Sequence, residues 1–120
     1  ALPAMRRLAA LGGLQAFEGN PLAKGPYCGV WRGSELVSMA GTHLCVSGFA
    51  EIGNVVTALA YRRQGLARMA VAATTRAILG ADLEPMLQVF KTKAAAIALY
   101  EGLGFERVRT MYLVLFRLPS

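Results

Sequence analysis

Tyr61-Arg62-Arg63-Gln64-Gly65-Leu66-Ala67-Arg68 separates a strand-forming stretch from a helix-forming one, and its reading decides the fold. Before it, residues 50–58 carry Ile52, Val55, Val56 and Thr57, which suit a strand. After it the period changes: over 65–79, Leu66, Met69, Ala70, Ala73 and Ala77 fall on one helical face, and Gly80 is placed to end the helix. The octet therefore opens a helix. The first amides of a helix have no intrahelical partner and lie at the positive end of its dipole, so they stabilise an anion. No Ser, Thr, Asp or Asn occupies 61–64 to cap those amides, while Gly65 and Ala67 let a large group approach the main chain. Arg62, Arg63 and Arg68 add charge. The plainer alternative is an exposed basic helix start with a glycine in a tight turn.

Outward from this point, Met86 to Phe90 reads as a short apolar strand, so 50–90 forms a βαβ unit with parallel strands and a right-handed crossover. Upstream, Tyr27 to Arg32 and Glu35 to Leu44 flank Gly33-Ser34, a connection suited to a tight hairpin, and Ser47-Gly48 marks the next reversal. Residues 3–12 read as a helix and Gly12 to Pro26, with four glycines and two prolines, as a loop. Downstream, Ala96, Leu99, Tyr100 and Leu103 repeat at helical spacing, with Thr92 as the expected N-cap and Gly104 as the stop. Phe105 to Leu118 is β-rich and reads as about one long terminal strand. The expected class is α+β with a mixed sheet flanked by helices. We expect one domain over 1–120, with a short helix and loop at 1–25 and the core at 26–118.

Composition narrows the function. Apolar residues make up 55% of the chain and no apolar run is long enough to span a bilayer, so we expect a cytoplasmic protein with no membrane partner. Arg6-Arg7-Leu8-Ala9-Ala10-Leu11 opens like an export signal, but Leu2, Met5, Leu8 and Ala9 repeat as in an amphipathic helix. Cys28 and Cys45 have no metal-ligand spacing, and read as reduced, half-buried strand residues. His43 is the only histidine and reads as a turn or strand-edge residue; no metal site is expected. Thirteen Lys and Arg against seven Asp and Glu give a formal charge of +6, which favours an anionic partner.

Two segments together carry a resemblance. Arg62-x-x-Gly65-x-Ala67, following a strand, resembles the pyrophosphate loop Arg/Gln-x-x-Gly-x-Gly/Ala of the GNAT superfamily of acyl-CoA-dependent N-acyltransferases. Ala96-Ile97-Ala98-Leu99-Tyr100-Glu101-Gly102-Leu103-Gly104-Phe105 resembles that family's second signature, a helix ending in Leu-Tyr-Glu-x-x-Gly-Phe. The likeness extends from Tyr27 to about Val114. It implies a slot between the splayed strands at 50–58 and 86–90 for the pantetheine arm of acetyl-CoA. It also implies that the main chain of Val55 and Thr57 pairs with the pantetheine amides. On the same basis, Arg62, Arg63, Gln64, Gly65, Leu66, Ala67 and Arg68 surround the pyrophosphate. Two positions depart from the pattern: Lys93 stands where the family often has Asn, and Leu59 where a Pro often follows the third strand. Lys93 either contacts a CoA phosphate or is solvated.

The resemblance implies acetyl transfer to a small-molecule or peptide amine by direct attack in a ternary complex. An alkylammonium with a pKa of roughly 10 must lose a proton to react, which calls for a carboxylate. Glu51, at the start of the third strand, matches a glutamate of many such enzymes and by strand alternation shares a face with Val55 and Thr57; otherwise it is a solvated strand end. Tyr100 matches the acid that protonates the departing thiolate; otherwise it is a core aromatic. An amide near Val56 is expected to polarise the thioester carbonyl. The competing functions are a non-catalytic CoA-binding or regulatory module and a small basic nucleic-acid-binding domain. The latter is disfavoured because no helix-turn-helix, finger or aromatic-basic pattern is present. The short N-terminal part leads us to expect a sheet edge covered by a second copy of the chain or by a missing N-terminal segment.

Overall fold

The computed structural model describes residues 2–11, 21–110 and 113–119. Helix α1 (Leu2–Leu11) is followed by a 3-10 turn (Pro21–Lys24), then strands β1 (Tyr27–Arg32), β2 (Glu35–Val46) and β3 (Phe49–Thr57). A second 3-10 turn (Leu59–Tyr61) leads to α2 (Leu66–Gly80), β4 (Glu84–Phe90), α3 (Ala94–Gly102), β5 (Glu106–Thr110) and β6 (Leu113–Arg117). Most of the expected loop after α1 lies outside the described residues.

The six strands form one sheet in the order β1-β2-β3-β4-β6-β5, in which only β3 and β4 pair in parallel. This is the mixed α+β architecture expected, with α2 as the crossover. The turn residues behave as their chemistry predicts: Ser47 and Gly48 both take positive φ, as a two-residue hairpin that follows the strand twist requires. The terminal segment corrects the expectation of about one long strand. It folds into two antiparallel strands, with Thr110 opposite Val114. The stretch Val108-Arg109-Thr110-Met111-Tyr112 holds no Gly, Pro, Asn or Asp, so nothing in it signals a turn.

Helices α2 and α3 end in the same device. After α3, Gly104 takes φ 97°, Phe105 N–H donates to Tyr100 O and Gly104 N–H to Glu101 O, as the glycine stop predicts. After α2 the expectation fails by two residues. The helix runs through Gly80, and Asp82 takes the left-handed turn at φ 60°, with Leu83 N–H on Ile78 O and Asp82 N–H on Leu79 O. Aspartate tolerates that conformation better than most side chains. Thr92 does not cap α3: Lys93 holds the N-cap position and no side chain bonds the free amides.

Apolar residues fill both faces of the sheet. On one, Ala70, Val71 and Ile78 of α2 and Tyr100 of α3 pack with Ala40, Ala50, Ile52, Leu87 and Phe116. On the other, Met5, Leu8 and Ala9 of α1 cover Leu36, Met39 and Val56. The buried stripe of α2 is Leu66, Ala70, Val71, Thr74 and Ile78, rotated from the expected one so that Met69 is exposed. Thr74 was hidden from an apolar count. Its hydroxyl lies 2.8 Å from Ala70 O and 3.1 Å from Ala40 O, which removes the cost of burying it. Both cysteines lie on strands as free thiols, but Cys45 is exposed rather than half-buried.

Candidate active site

The β3–β4 ladder runs from Phe49 opposite Glu84 to Ile52 opposite Leu87 and stops there. Both strands continue, β3 to Thr57 and β4 to Phe90, so beyond Ile52 and Leu87 they part. The separation coincides with an irregularity in β3. Gly53 pairs with Gly41 and Val56 with Met39, so β3 carries one residue more than β2 across that interval. Asn54 in this bulge takes φ 52°. A bulge inverts the alternation of side chains beyond it. Accordingly Ile52 belongs to the cluster under α2 and α3, whereas Val56 belongs to the cluster under α1.

That inversion corrects the placing of Glu51. Val55 packs against the α2–α3 cluster with Ile52, so Glu51, which alternates with Ile52, points to the opposite face from Val55. Its side chain is 12% exposed, Gln88 Nε2 donates to its Oε2 at 2.5 Å, and His43 Nε2 lies 4.0 Å from its Oε1. Tyr100 is on the α2–α3 side, so the two proposed catalytic groups flank the sheet.

The bulge is bolted from the edge strand. Tyr27 is opposite Gly41, which is opposite Gly53, and the Tyr27 ring lies across the bare backbone of Gly41. Its hydroxyl accepts a 2.5 Å bond from Asn54 Nδ2. Burial pushes the Tyr27 phenol above its ordinary range, and the bond from Asn54 offsets part of that shift. Sequence reasoning missed Tyr27 and Asn54, although a Gly-Asn pair inside a strand is the local sign of a bulge.

A cleft of about 530 Å³ runs from the parted strands to the start of α2. Val55, Val56 and Thr57 form one wall, Arg62, Arg63, Gly65, Leu66, Ala67 and Arg68 the end, and Tyr100 with Ala95, Ala96 and Leu99 of α3 the other wall. The sequence reading did not include Tyr61, Ala95, Ala96 and Leu99, which also line it. Gln64 and Lys93 are exposed and do not line the cleft, and Glu51 lines a different hollow.

At the cleft's end, Arg63 and Gly65 take φ 64° and 76°, and a Cβ added at Gly65 would meet nothing within 4 Å among the described residues. A left-handed residue within such a turn can aim neighbouring backbone amides inward and form an anion-binding concavity. The first bond along α2 runs from Met69 N–H to Gly65 O, and no side chain caps the amides before it. The guanidinium groups are partly engaged. Arg62 Nε donates to Thr57 O at 3.0 Å, and Arg68 Nη2 to Gly102 O at 3.2 Å. The first ties the loop to the end of β3, and the second places a cation on the negative end of α3.

Ala58 N–H donates to Val37 O at 2.8 Å, so by antiparallel alternation the Val56 amide also faces β2. Thr57 turns its main chain the other way, toward the parted strands. The Val56 amide itself is therefore not turned toward the cleft.

Tyr100 is 7% exposed, with its ring edge-on to Phe116 at 6.0 Å. Burial raises its phenol above the ordinary range, which keeps it protonated. No partner to its hydroxyl occurs among the described residues, and the ring reaches the cleft.

The family model described as "FR47-like protein" matches residues 27–114. The chain belongs to this family, and its domain is of the GNAT type. Among solved structures, a GNAT-family protein from Novosphingobium aromaticivorans superposes with a TM-score of 0.77 at 28% identity, over 98% of this chain and 53% of that one. This FR47-like chain thus spans about half the length of that relative. The ribosomal-protein-S18-alanine N-acetyltransferase of Escherichia coli shares the fold at a TM-score of 0.76 and 23% identity, over 98% of this chain and 86% of that one. The PaiA N-acetyltransferase of Thermoplasma acidophilum, in complex with coenzyme A, shares it at 0.67 and 13%, over 78% and 60%. No curated protein matches the sequence at a significant level. The two structures below 25% identity show the likeness of fold alone.

Proposed function

We propose that this GNAT domain transfers the acetyl group of acetyl-CoA to an amine by direct attack within a ternary complex. The observation that carries the proposal is the single cleft joining an uncapped helix start, the end of β3 beyond its ladder with β4, and a buried tyrosine. The left-handed turn with its open Gly65 fits a diphosphate, because amides and nearby arginines converge where no Cβ intrudes. Acetyl-CoA supplies an acyl group already activated as a thioester.

The residues then divide the work. Amides of Arg63, Gly65, Ala67 and Arg68 hold the pyrophosphate. The free main chain of β3 around Val55 and Thr57 receives the pantetheine as an added strand would. The Thr57 carbonyl is already bonded by Arg62, so the amide of Thr57 is its available group. Glu51, aided by the donor Gln88, receives the proton of an amine arriving from the α1 side of the sheet. Tyr100 donates its proton to the departing thiolate, whose reference pKa of about 8.5 lies below that of the phenol, so only modest help is required.

Calorimetric titration with acetyl-CoA, followed by thiol release in the presence of amines, tests this. Binding with turnover that falls in Tyr100→Phe and Glu51→Gln is the expected result. Binding without any turnover would leave a CoA-binding module, and no binding would end the proposal.

A further inference from the structure

The face of the sheet that carries Glu51 also carries an apolar groove that no described residue covers. Leu44 is opposite Glu51, Val46 opposite Phe49, and Glu51 opposite Met86, so these side chains share one face across β2, β3 and β4. Leu44, Val46 and Phe49 are 48%, 53% and 38% exposed, and with Ser47 and Met86 they enclose about 220 Å³ against Glu51. Helix α1 covers the same face only farther along, over Leu36, Met39 and Val56. Glu51 lies one residue from Ile52, the last rung before the strands part. Glu51 therefore stands between the splay and the groove.

We infer that the acceptor is a monocationic primary amine whose nitrogen bears a short alkyl or aryl chain, the amine resting at Glu51 and the chain between Leu44, Val46, Phe49 and Met86. Charge decides among amines. Among the described residues lining the groove Glu51 is the one charged group, with the His43 ring 4.0 Å from its Oε1, so a carboxylate beside the amine would be repelled and a second cation would have to lie against apolar side chains. Size points the same way, since the hollow is smaller than the 300–1,000 Å³ typical of drug-sized ligands. The inference rests on the acetyltransferase reading and adds the acceptor class to it.

The test uses the purified chain with acetyl-CoA and a series of primary amines from ethylamine to hexylamine, with phenethylamine, glutamate and a diamine for comparison. Each buried methylene should raise kcat/KM about fourfold. Glutamate and the diamine should fall at least tenfold below hexylamine. Leu44→Asp and Val46→Asp should flatten the dependence on chain length and raise the KM for hexylamine at least tenfold, with acetyl-CoA affinity by calorimetry as the check on folding. If either variant fails to fold, the slope in the unaltered protein decides alone. A flat or absent response to chain length in a chain that binds acetyl-CoA overturns the inference and leaves the acetyltransferase reading standing. Failure to bind acetyl-CoA removes both. Self-association that Val46→Asp abolishes, with a flat slope, assigns the groove to a second copy and also overturns the inference.

Discussion

Replacing Gly41 with alanine tests whether the bulge that parts β3 from β4 is held in place by Tyr27. An added Cβ would lie 2.1–2.3 Å from three ring atoms of Tyr27, where ordinary contact begins near 3.4 Å, so the ring must move by about 1 Å or leave. A displaced ring loses packing against the α1 cluster and the bond from Asn54. Overpacking costs about 1–3 kcal/mol, and a lost hydrogen bond about 1 kcal/mol. Gly41→Ala should therefore lower stability by about 2–4 kcal/mol. Tyr27→Ala alone forfeits the same bond and part of a ring's burial, about 1–3 kcal/mol. In the double variant the added methyl meets no ring, so it should cost no more than Tyr27→Ala alone, a strong departure from additivity. Urea melts measure this, because a slope of about 1–3 kcal/mol per molar turns such losses into midpoint shifts of roughly 1–2 M. Both single variants should also weaken acetyl-CoA binding. Additive losses in the double variant, or unaltered binding in both single variants, would refute the bolt.

Gly65→Ala places a side chain at φ 76°, which costs roughly 1–2 kcal/mol, and should weaken acetyl-CoA binding measured by calorimetry; unchanged affinity would remove the turn from the site. Tyr100→Phe should lower kcat by roughly 10–100-fold with little change in acetyl-CoA affinity, and an unchanged kcat would reduce Tyr100 to a packing residue. Stability should fall in alkali. Burial raises both Tyr100 and Tyr27 above 10.0, so the unfolded phenols lose protons first; stability is fully present below pH 10 and declines as pH rises through the folded values. Tyr100→Phe should flatten that decline in urea melts taken from pH 9 to 12, and an unaltered slope would place the phenol in water.

Where residue chemistry acts locally, the sequence was readable. The period change at Gly65 and the turns at Gly33-Ser34, Ser47-Gly48 and Gly104 mark elements that the structure contains. Each rests on a nearest-neighbour cause: a side-chain period or a residue that tolerates positive φ. What escaped depends on contacts distant in sequence. The second terminal strand arises because β6 inserts between β4 and β5, an edge preference that no turn residue announces. Thr74 is buried because the Ala40 carbonyl, on β2, offers it a partner. Asp82 rather than Gly80 ends α2, although both can take the required conformation, and the choice sets where Leu83 meets the core.

The bulge at Asn54 has the largest consequence for function. Strict alternation would put Glu51, Val55 and Thr57 together on the α1 face, away from Tyr100 and the cleft. One inserted residue separates them: main chain free for pantetheine and Tyr100 lie toward α2 and α3, while Glu51 opens toward the α1 face and the apolar groove. Two substrates could then approach the parted strands from opposite sides and meet only there. This arrangement suits the ternary complex proposed above, because neither partner has to leave before the other enters. Gly53-Asn54 is thus the part of β3 on which the proposed direct attack depends most. Deleting Asn54 to restore regular alternation should leave a folded sheet with Val55 turned away from the cleft, and acetyl transfer should be lost even though Glu51, Tyr100 and the phosphate turn remain. Turnover retained in that deletion, with acetyl-CoA affinity intact, would show that the bulge does not organise the chemistry.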